Sequence, residues 1–355
     1  MMSDLTYDQL HERVSGGILA AALGDAMGAA TEQYQIDEII AKHGGLLKEL
    51  IDPPADTFST GQKAGWITDD VSQMLALSEA IIHDGGALTR ETWAKRLVRW
   101  SVESRNNMQM GPSTRPIMEA LQKGESIDHV GSIRDSARKY TEFGASNGAA
   151  MRVGPAGLVN PGNIDAAVRL AWTQCYPTHL TQIAAAGAGA IAAGTAVAMM
   201  PGADVFSVVK ACLEGARIGE ELGAAEGRRV AGASVEVRIQ IAVEEALKAP
   251  TFEQALRRIE ATVGNSVLMV EAVPAAVGVF VAAAGDPFLT AVGATNIGND
   301  TDTIGAIAGP MAGALNGSSK IPQAMRDLLI AVNDEYDIPN IIEGLARIAA
   351  KNLAL

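Results

Sequence analysis

Two glycine stripes constrain this chain more than any other feature. Gly16, Ala20, Gly24 and Gly28 recur every fourth residue near the N-terminus, and Gly305, Gly309, Gly313 and Gly317 repeat the spacing near the C-terminus. A four-residue period puts each set on one face of a helix. Glycine inside a helix costs about 1 kcal/mol against alanine, so such a face signals a place where another backbone approaches closely. The first stripe predicts a helix over residues 7–30, and the second predicts one that follows the loop around Asp300. The text between them is also helical in period. Val71, Met74, Leu75, Ser78, Ile81 and Ile82 follow helical spacing until His83-Asp84-Gly85-Gly86. Further helices are expected at about 90–105, Ile164–Cys175, 205–225 and 235–260. Ile183–Met200 carries no charge over eighteen residues. It is built from Ala and Gly, without flanking basic clusters or an aromatic belt, and reads as a buried core helix rather than a membrane span. Gly44–Trp66, with Pro53 and Pro54, reads as a long loop. Asn265–Ala284 leads to the Asp300 loop. No alternating strand pattern of useful length appears, and no linker divides the chain. The expectation is a single all-α domain over residues 1–355.

Charge and cysteine content narrow the function classes. A net charge of −13 argues against a nucleic-acid groove or an anionic membrane surface as the main partner. It leaves room for a local basic pocket. Cys175 and Cys212 are too few for a disulfide framework, and no signal peptide precedes Met1-Met2-Ser3-Asp4-Leu5-Thr6. A cytoplasmic protein is expected. The glycine-rich text lacks the GxGxxG spacing and a preceding strand, and there is no GxxxxGK[ST] loop.

Two short loops concentrate oxygen-bearing side chains. Trp66-Ile67-Thr68-Asp69-Asp70 and Asn299-Asp300-Thr301-Asp302-Thr303 each precede an apolar-periodic segment. Such density suits a hard divalent cation, which repays the mutual repulsion of its carboxylates. Thr68, Asp69, Asp70, Asp300, Asp302 and Thr303 can hold two ions that share a bridging carboxylate and polarise water. Neither loop holds His or Cys, which points to Mg²⁺ or Mn²⁺ rather than zinc. Glu32 stands outside both loops, free to act as general acid, base or gate. A purely structural account competes: Asp70 with Gln73 fits a helix-capping pair, and Asp300 or Asp302 fits an Asx-type cap. Gly144–Pro155 is built from small residues, as a passive loop or as backbone laid against a ligand. Within it Arg152 is a candidate phosphate or carboxylate contact or half of a buried ion pair. His179 fits a ligand or base, or a satisfied capping or pocket residue.

Together these segments resemble the ADP-ribosylglycohydrolase family. The resemblance is carried by Gly24-Asp25-Ala26-Met27-Gly28 with Glu32, Trp66-Ile67-Thr68-Asp69-Asp70, Ser146-Asn147-Gly148-Ala149-Ala150-Met151-Arg152, Pro177-Thr178-His179, Glu271-Ala272-Val273-Pro274-Ala275-Ala276 and Gly298-Asn299-Asp300-Thr301-Asp302-Thr303-Ile304-Gly305. The six occur in the family's order, between about residues 10 and 320. The resemblance implies an orthogonal helical bundle with a dimetal site at one end. It implies that Thr68, Asp69, Asp70, Asp300, Asp302 and Thr303 hold the ions, with Glu32, Asp69 and Asp302 carrying the chemistry. Asp25, Ser146, Asn147, Gly148, Met151, Arg152 and His179 are then the ligand contacts. The implied reaction is hydrolysis at C1 of a ribose in an ADP-ribosylated protein or small molecule. A glycosidic transition state needs fixed negative charge and a positioned water, which such a site offers. Two departures stand out: Met110, where members acting on ADP-ribosylated arginine often carry an acid, and Ala145 before Ser146. Other branches of the family imply a nucleoside as substrate. A non-catalytic, crystallin-like protein on the same fold implies eroded acidic loops, and here both are intact.

Overall fold

The computed structural model describes residues 5–111, 114–127 and 144–355. Pro112 and Ser113, and Met1–Asp4, lie outside the described residues. In chain order the helices are α1 (Tyr7–Gly28), α2 (Ile36–His43), α3 (Asp69–His83), α4 (Arg90–Glu103), α5 (Arg115–Gln122), α6 (Gly148–Met151), α7 (Gly154–Leu158), α8 (Ile164–Cys175) and α9 (Gln182–Ala198). They continue with α10 (Val205–Glu226), α11 (Val235–Lys248), α12 (Phe252–Val263), α13 (Met269–Ala282), α14 (Pro287–Asn296), α15 (Thr301–Asn316), α16 (Gln323–Val332) and α17 (Ile338–Asn352). The fold is all-α; among the described residues only isolated bridges pair extended backbone, Ser146 with Leu268 and Thr181 with Arg228.

Local chemistry sets the helix ends. Thr6 and Gln9 form a reciprocal capping box at the start of α1. Thr181 accepts from the Ala184 amide and so caps α9. The Pro177-Thr178-His179 stretch ends just before the cap. The single helix expected at 235–260 is two. Pro250 follows the end of α11, and Thr251 caps α12 by accepting from the Gln254 amide. Asp84 closes α3, followed by Gly85 and Gly86 at φ 64° and 101°. Helix α2, which the sequence reading passed over, begins inside a stretch too short to show a period.

The two glycine stripes meet each other. Helices α1 and α15 run antiparallel in the most extensive helix contact of the fold. A Cβ on Gly16 would stand 2.2 Å from the Gly313 oxygen, and one on Gly24 would stand 2.7 Å from the Gly305 Cα. Side chains of any size would hold the helices apart. A second small-residue contact joins α9 to α10, where a Cβ on Gly215 would lie 2.3 Å from the Gly189 oxygen. The alanine- and glycine-rich α9 is buried along nearly its whole length. No helix among the described residues is long and apolar enough to cross a membrane.

Candidate metal centre and cleft

The stripe contact brings the C-terminal end of α1 beside the N-terminal end of α15. At Gly28 a Cβ would stand 2.4 Å from the Asp302 amide nitrogen, so the glycine lets the acidic loop sit directly on α1. Asp25 lies one turn earlier on α1, fully buried. Its carboxylate accepts from the Thr68 amide at 3.0 and 3.2 Å and from the Val71 amide at 3.3 Å. An acid on one helix therefore pins the N-terminus of α3, where the free amides and the dipole favour negative charge. Thr68 is the N-cap of α3; its hydroxyl accepts from the Asp70 amide at 3.2 Å and donates to the Asp70 carboxylate at 3.1 Å.

The third loop is held from both sides. Asn265 donates to the Ile297 and Gly298 carbonyls at 2.9 and 3.0 Å, and its own carbonyl accepts from the Asp300 amide at 3.2 Å. Asn299, at φ 59°, accepts from the Gln33 amide and donates to the Tyr34 carbonyl. Turning the chain there delivers Asp300 and Asp302 to the same point as Glu32. Asn147 donates to the Asp300 carboxylate, and the Thr303 hydroxyl donates to Asp70 at 3.2 Å.

Three loops thus converge on one acidic centre. Carboxylate oxygens of Asp25, Asp70 and Asp302 lie within 4.8 Å of one another, as do those of Glu32, Asp300 and Asp302. Asp302 belongs to both groups. One of its oxygens, Oδ1, is buried without a hydrogen-bond partner. A buried, unsatisfied carboxylate oxygen among other acids is costly. Burial is also the first cause of every pKa shift here. It pushes Asp25 up to about 7 against the pull of the Thr68 and Val71 donors. Glu32 is pushed up to about 8 by burial and by Asp300 and Asp25. Asp300 rises to about 6, with Asn147 and Thr303 opposing. Asp69, Asp70 and Asp302 lie well above the usual carboxylate range, each raised by burial and then by neighbouring acids. An all-oxygen set with an orphaned carboxylate oxygen fits a hard divalent cation, which relieves both costs at once.

The acids open into a cleft of about 340 Å³. Glu32, Asp69, Asp70, Asp300, Asp302 and Thr303 face it from below. Ser146, Asn147, Gly148, Met151 and His179 form one wall. That wall is fixed by backbone pairing, with the Asn147 amide donating to the Val267 carbonyl at 2.9 Å and the Met269 amide to the Ala145 carbonyl at 3.1 Å. Gln33, Gln109, Gly111 and Thr114 complete the lining with Met110, which is buried, and with Phe58 and Val267, which are more than half exposed.

Several expectations need correction. Asp25 was expected to touch the ligand, but it is completely buried beneath the centre and joins the carboxylate group instead. Thr68, expected to hold an ion, is buried beside the centre with its hydroxyl on Asp70, an acid of the first carboxylate group. Asp69, expected to hold an ion, faces the cleft from its floor beside Asp70 and accepts from the Gln73 amide nitrogen at 3.1 Å. The Asp70–Gln73 capping pair does not form, because Thr68 takes the cap position. Asp300 occupies the N-cap position of α15 but makes no side-chain cap bond. Arg152 neither reaches the cleft nor forms an ion pair among the described residues. It is fully buried, donating to Gln174, Gln73 and Thr178 with its guanidinium 5.2 Å from the Trp93 ring centre. Four hydrogen bonds run from it to neutral amide oxygens and a hydroxyl. The sequence reading passed over Asn265 and Gln174 and saw in Gln73 only a cap. The available signal was an amide side chain inside an otherwise apolar helical run, at Gln73 and Gln174.

Comparison with known proteins agrees with the geometry. The ADP-ribosylglycohydrolase family model matches residues 6–353. YegU of Escherichia coli (strain K12), described as an uncharacterized protein, is 29% identical over 341 residues, covering 95% of this chain and 97% of its own. ADP-ribosylarginine hydrolase Tri1 of Pseudomonas putida (strain GB-1) is 27% identical over 180 residues, 49% of this chain and 43% of its own. Among solved structures, an ADP-ribosylglycohydrolase-related protein complex superposes with a TM-score of 0.65 at 22% identity, over 96% of this chain and 99% of that one; the likeness bears on the fold alone. With a family match over nearly its whole length, the chain belongs to the ADP-ribosylglycohydrolase family.

Proposed function

We propose that this chain is a divalent-metal-dependent hydrolase that cleaves the bond between C1 of an ADP-ribosyl ribose and its acceptor, on a modified side chain or a small molecule. The observation that carries the reading is Asp302, shared between two carboxylate groups and left with an orphaned buried oxygen. Asp25, Glu32, Asp69, Asp70, Asp300 and Asp302, with the Thr68 and Thr303 hydroxyls, are the residues to hold two ions, Mg²⁺ or Mn²⁺. Bound there, such ions supply charge neutralisation and an orienting centre for water and the ribose diol. Glu32 faces the cleft, placed to exchange a proton with water or with the departing group. Asp69 adds fixed negative charge beside a developing oxocarbenium centre. Ser146, Asn147, Gly148 and His179 orient the remainder of the ligand. Both cysteines are buried and free, in keeping with a reducing cytoplasm.

A second reading, hydrolysis of a nucleoside-like compound, is favoured by one feature. Among the described residues no lysine or arginine lines the cleft, and its lining is apolar at Phe58, Met110 and Val267. A neutral substrate needs no counter-charge.

The test is product release from ADP-ribosyl-arginine, an ADP-ribosyl-serine peptide, O-acetyl-ADP-ribose and free nucleosides, each with Mg²⁺, Mn²⁺ or EDTA. Free ADP-ribose formed only with metal supports the first reading and names the acceptor. Ribose released from a nucleoside, with the ADP-ribosyl compounds untouched, selects the second. Full activity in EDTA defeats both.

A further inference from the structure

Arg152 sits behind the cleft and touches both of its sides through intermediaries. Its Nη1 donates to Gln73 Oε1 at 2.9 Å, and Gln73 Nε2 donates in turn to Asp69 Oδ2 at 3.1 Å. Its Nη2 donates to Thr178 Oγ1 at 2.8 Å, and that hydroxyl lies 2.7 Å from His179 Nδ1. The remaining ring nitrogen, Nε2, lies 2.9 Å from Ser146 Oγ.

A guanidinium has only donors, and this fixes the direction of each chain. The Gln73 amide must turn its oxygen to Arg152 and its NH₂ to Asp69. The reversed amide would set NH₂ against the guanidinium and oxygen against the carboxylate. Thr178 accepts from Arg152 with one lone pair, so its single proton goes to the lone pair of His179 Nδ1. The alternative, Nδ1–H donating to Thr178, leaves a buried hydroxyl proton with no acceptor among the described residues, which is costly. The ring proton therefore sits on Nε2 and points at Ser146. Burial, then the charge of Arg152, also depresses the His179 pKa well below its usual value, so the ring stays neutral and has a single proton to place.

We propose that Arg152 is a positioning residue for both sides of the cleft, orienting Asp69 through Gln73 and fixing His179 as the Nε2–H tautomer through Thr178. The part concerning His179 stands on hydrogen-bond direction alone; its use in catalysis rests on the function proposed above. Gln174 locks the hub in place, accepting from Arg152 Nε at 2.8 Å and donating to the Ala149 carbonyl at 2.8 Å, within the helix that follows Asn147. One buried cation thus sets both the acid on the floor and the imidazole on the wall.

The experiment is ¹⁵N NMR of the imidazole rings in the full-length, metal-free protein, with His179 assigned among the five histidines by substitution. Wild type should show His179 as Nε2–H across the neutral range. Thr178→Val keeps the side-chain volume but removes the hydroxyl, and should shift the ring to Nδ1–H or to a mixture. Thr178→Ser should restore Nε2–H. For the other side, Gln73→Leu should weaken Mn²⁺ binding by calorimetry roughly 10-fold or more, with circular dichroism unchanged. An Nδ1–H ring in wild type, or a tautomer unmoved by Thr178→Val, overturns the assignment for His179; unaltered Mn²⁺ affinity in Gln73→Leu overturns it for Asp69. The tautomer measurement uses neither substrate nor metal, so its failure is distinct from failure of the hydrolase reading. The Thr178 pair also keeps the test open whether or not a substituted Arg152 folds.

Discussion

Asp302 concentrates the chemistry of the centre into one side chain. Removing it takes a member from both carboxylate groups, so Asp302→Ala should lower kcat at least about 100-fold, measured as ADP-ribose release with Mn²⁺, and abolish one calorimetric binding step. The same carboxylate is a liability without metal, because it is buried, unsatisfied and surrounded by acids. Asp302→Asn should therefore raise the melting temperature of the EDTA-treated protein while destroying activity, the exchange expected of a strained functional site. A lower melting temperature in EDTA counts against the repulsion argument. At this scale the sequence was informative where a residue acts by its own chemistry. The crowded acids of Thr68–Asp70 and Asp300–Thr303 announced themselves by density. It was uninformative where a residue acts by what it faces: Arg152 looks like an anion contact in the chain and is a buried hub in three dimensions. Asn265 gave no signal at all, since one amide in a loop resembles any other.

Helix α1 and helix α15 show what glycine spacing can and cannot convey. The four-residue period marked both as close-packing faces, but nothing in it says that they face each other. That pairing follows only from matching two antiparallel stripes in space. Adding a methyl at the contact should cost about 2–3 kcal/mol. Gly305→Ala, whose Cβ would stand 2.4 Å from the Gly24 carbonyl carbon, is the direct case. Gly111→Ala, with open space around its Cβ, is the control and should be nearly neutral. Urea titration of both variants checks the difference. Helix ends were legible where capping chemistry was local, as at Ile164–Cys175, whose observed bounds match the expected ones. The break at Pro250 was missed because the apolar period continues across it into α12, and period alone does not register one missing backbone donor.

The whole molecule should carry the acidic centre as a pH-dependent strain. Asp25, Glu32 and Asp300 have folded-state pKa values raised to about 7, 8 and 6. The unfolded chain titrates the same groups in the ordinary carboxylate range, so between that range and about pH 8 the folded state binds more protons. Its stability then falls as pH rises. In EDTA the melting temperature should drop steadily from about pH 5 to about pH 8, where an unstrained acidic protein would change little. Added Mn²⁺ should reverse the trend, since a ligand that binds only the folded state stabilises it by mass action and competes best when the acids are ionised. Differential scanning fluorimetry over that pH range, with and without Mn²⁺, tests both slopes.

The stripe between α1 and α15 also bears on how such a protein can diversify. Contact there is made by the absence of atoms, so no rotamer can absorb a change and no neighbouring substitution can compensate for an added carbon. The spacing of the acids that α1 and α15 carry is thereby frozen into the backbone. Phe58, Met110 and Val267 also line the cleft, and none of them is among the nearest neighbours of the seam glycines. Exchanging those three side chains should therefore change what the cleft admits while the acidic floor stays as it is.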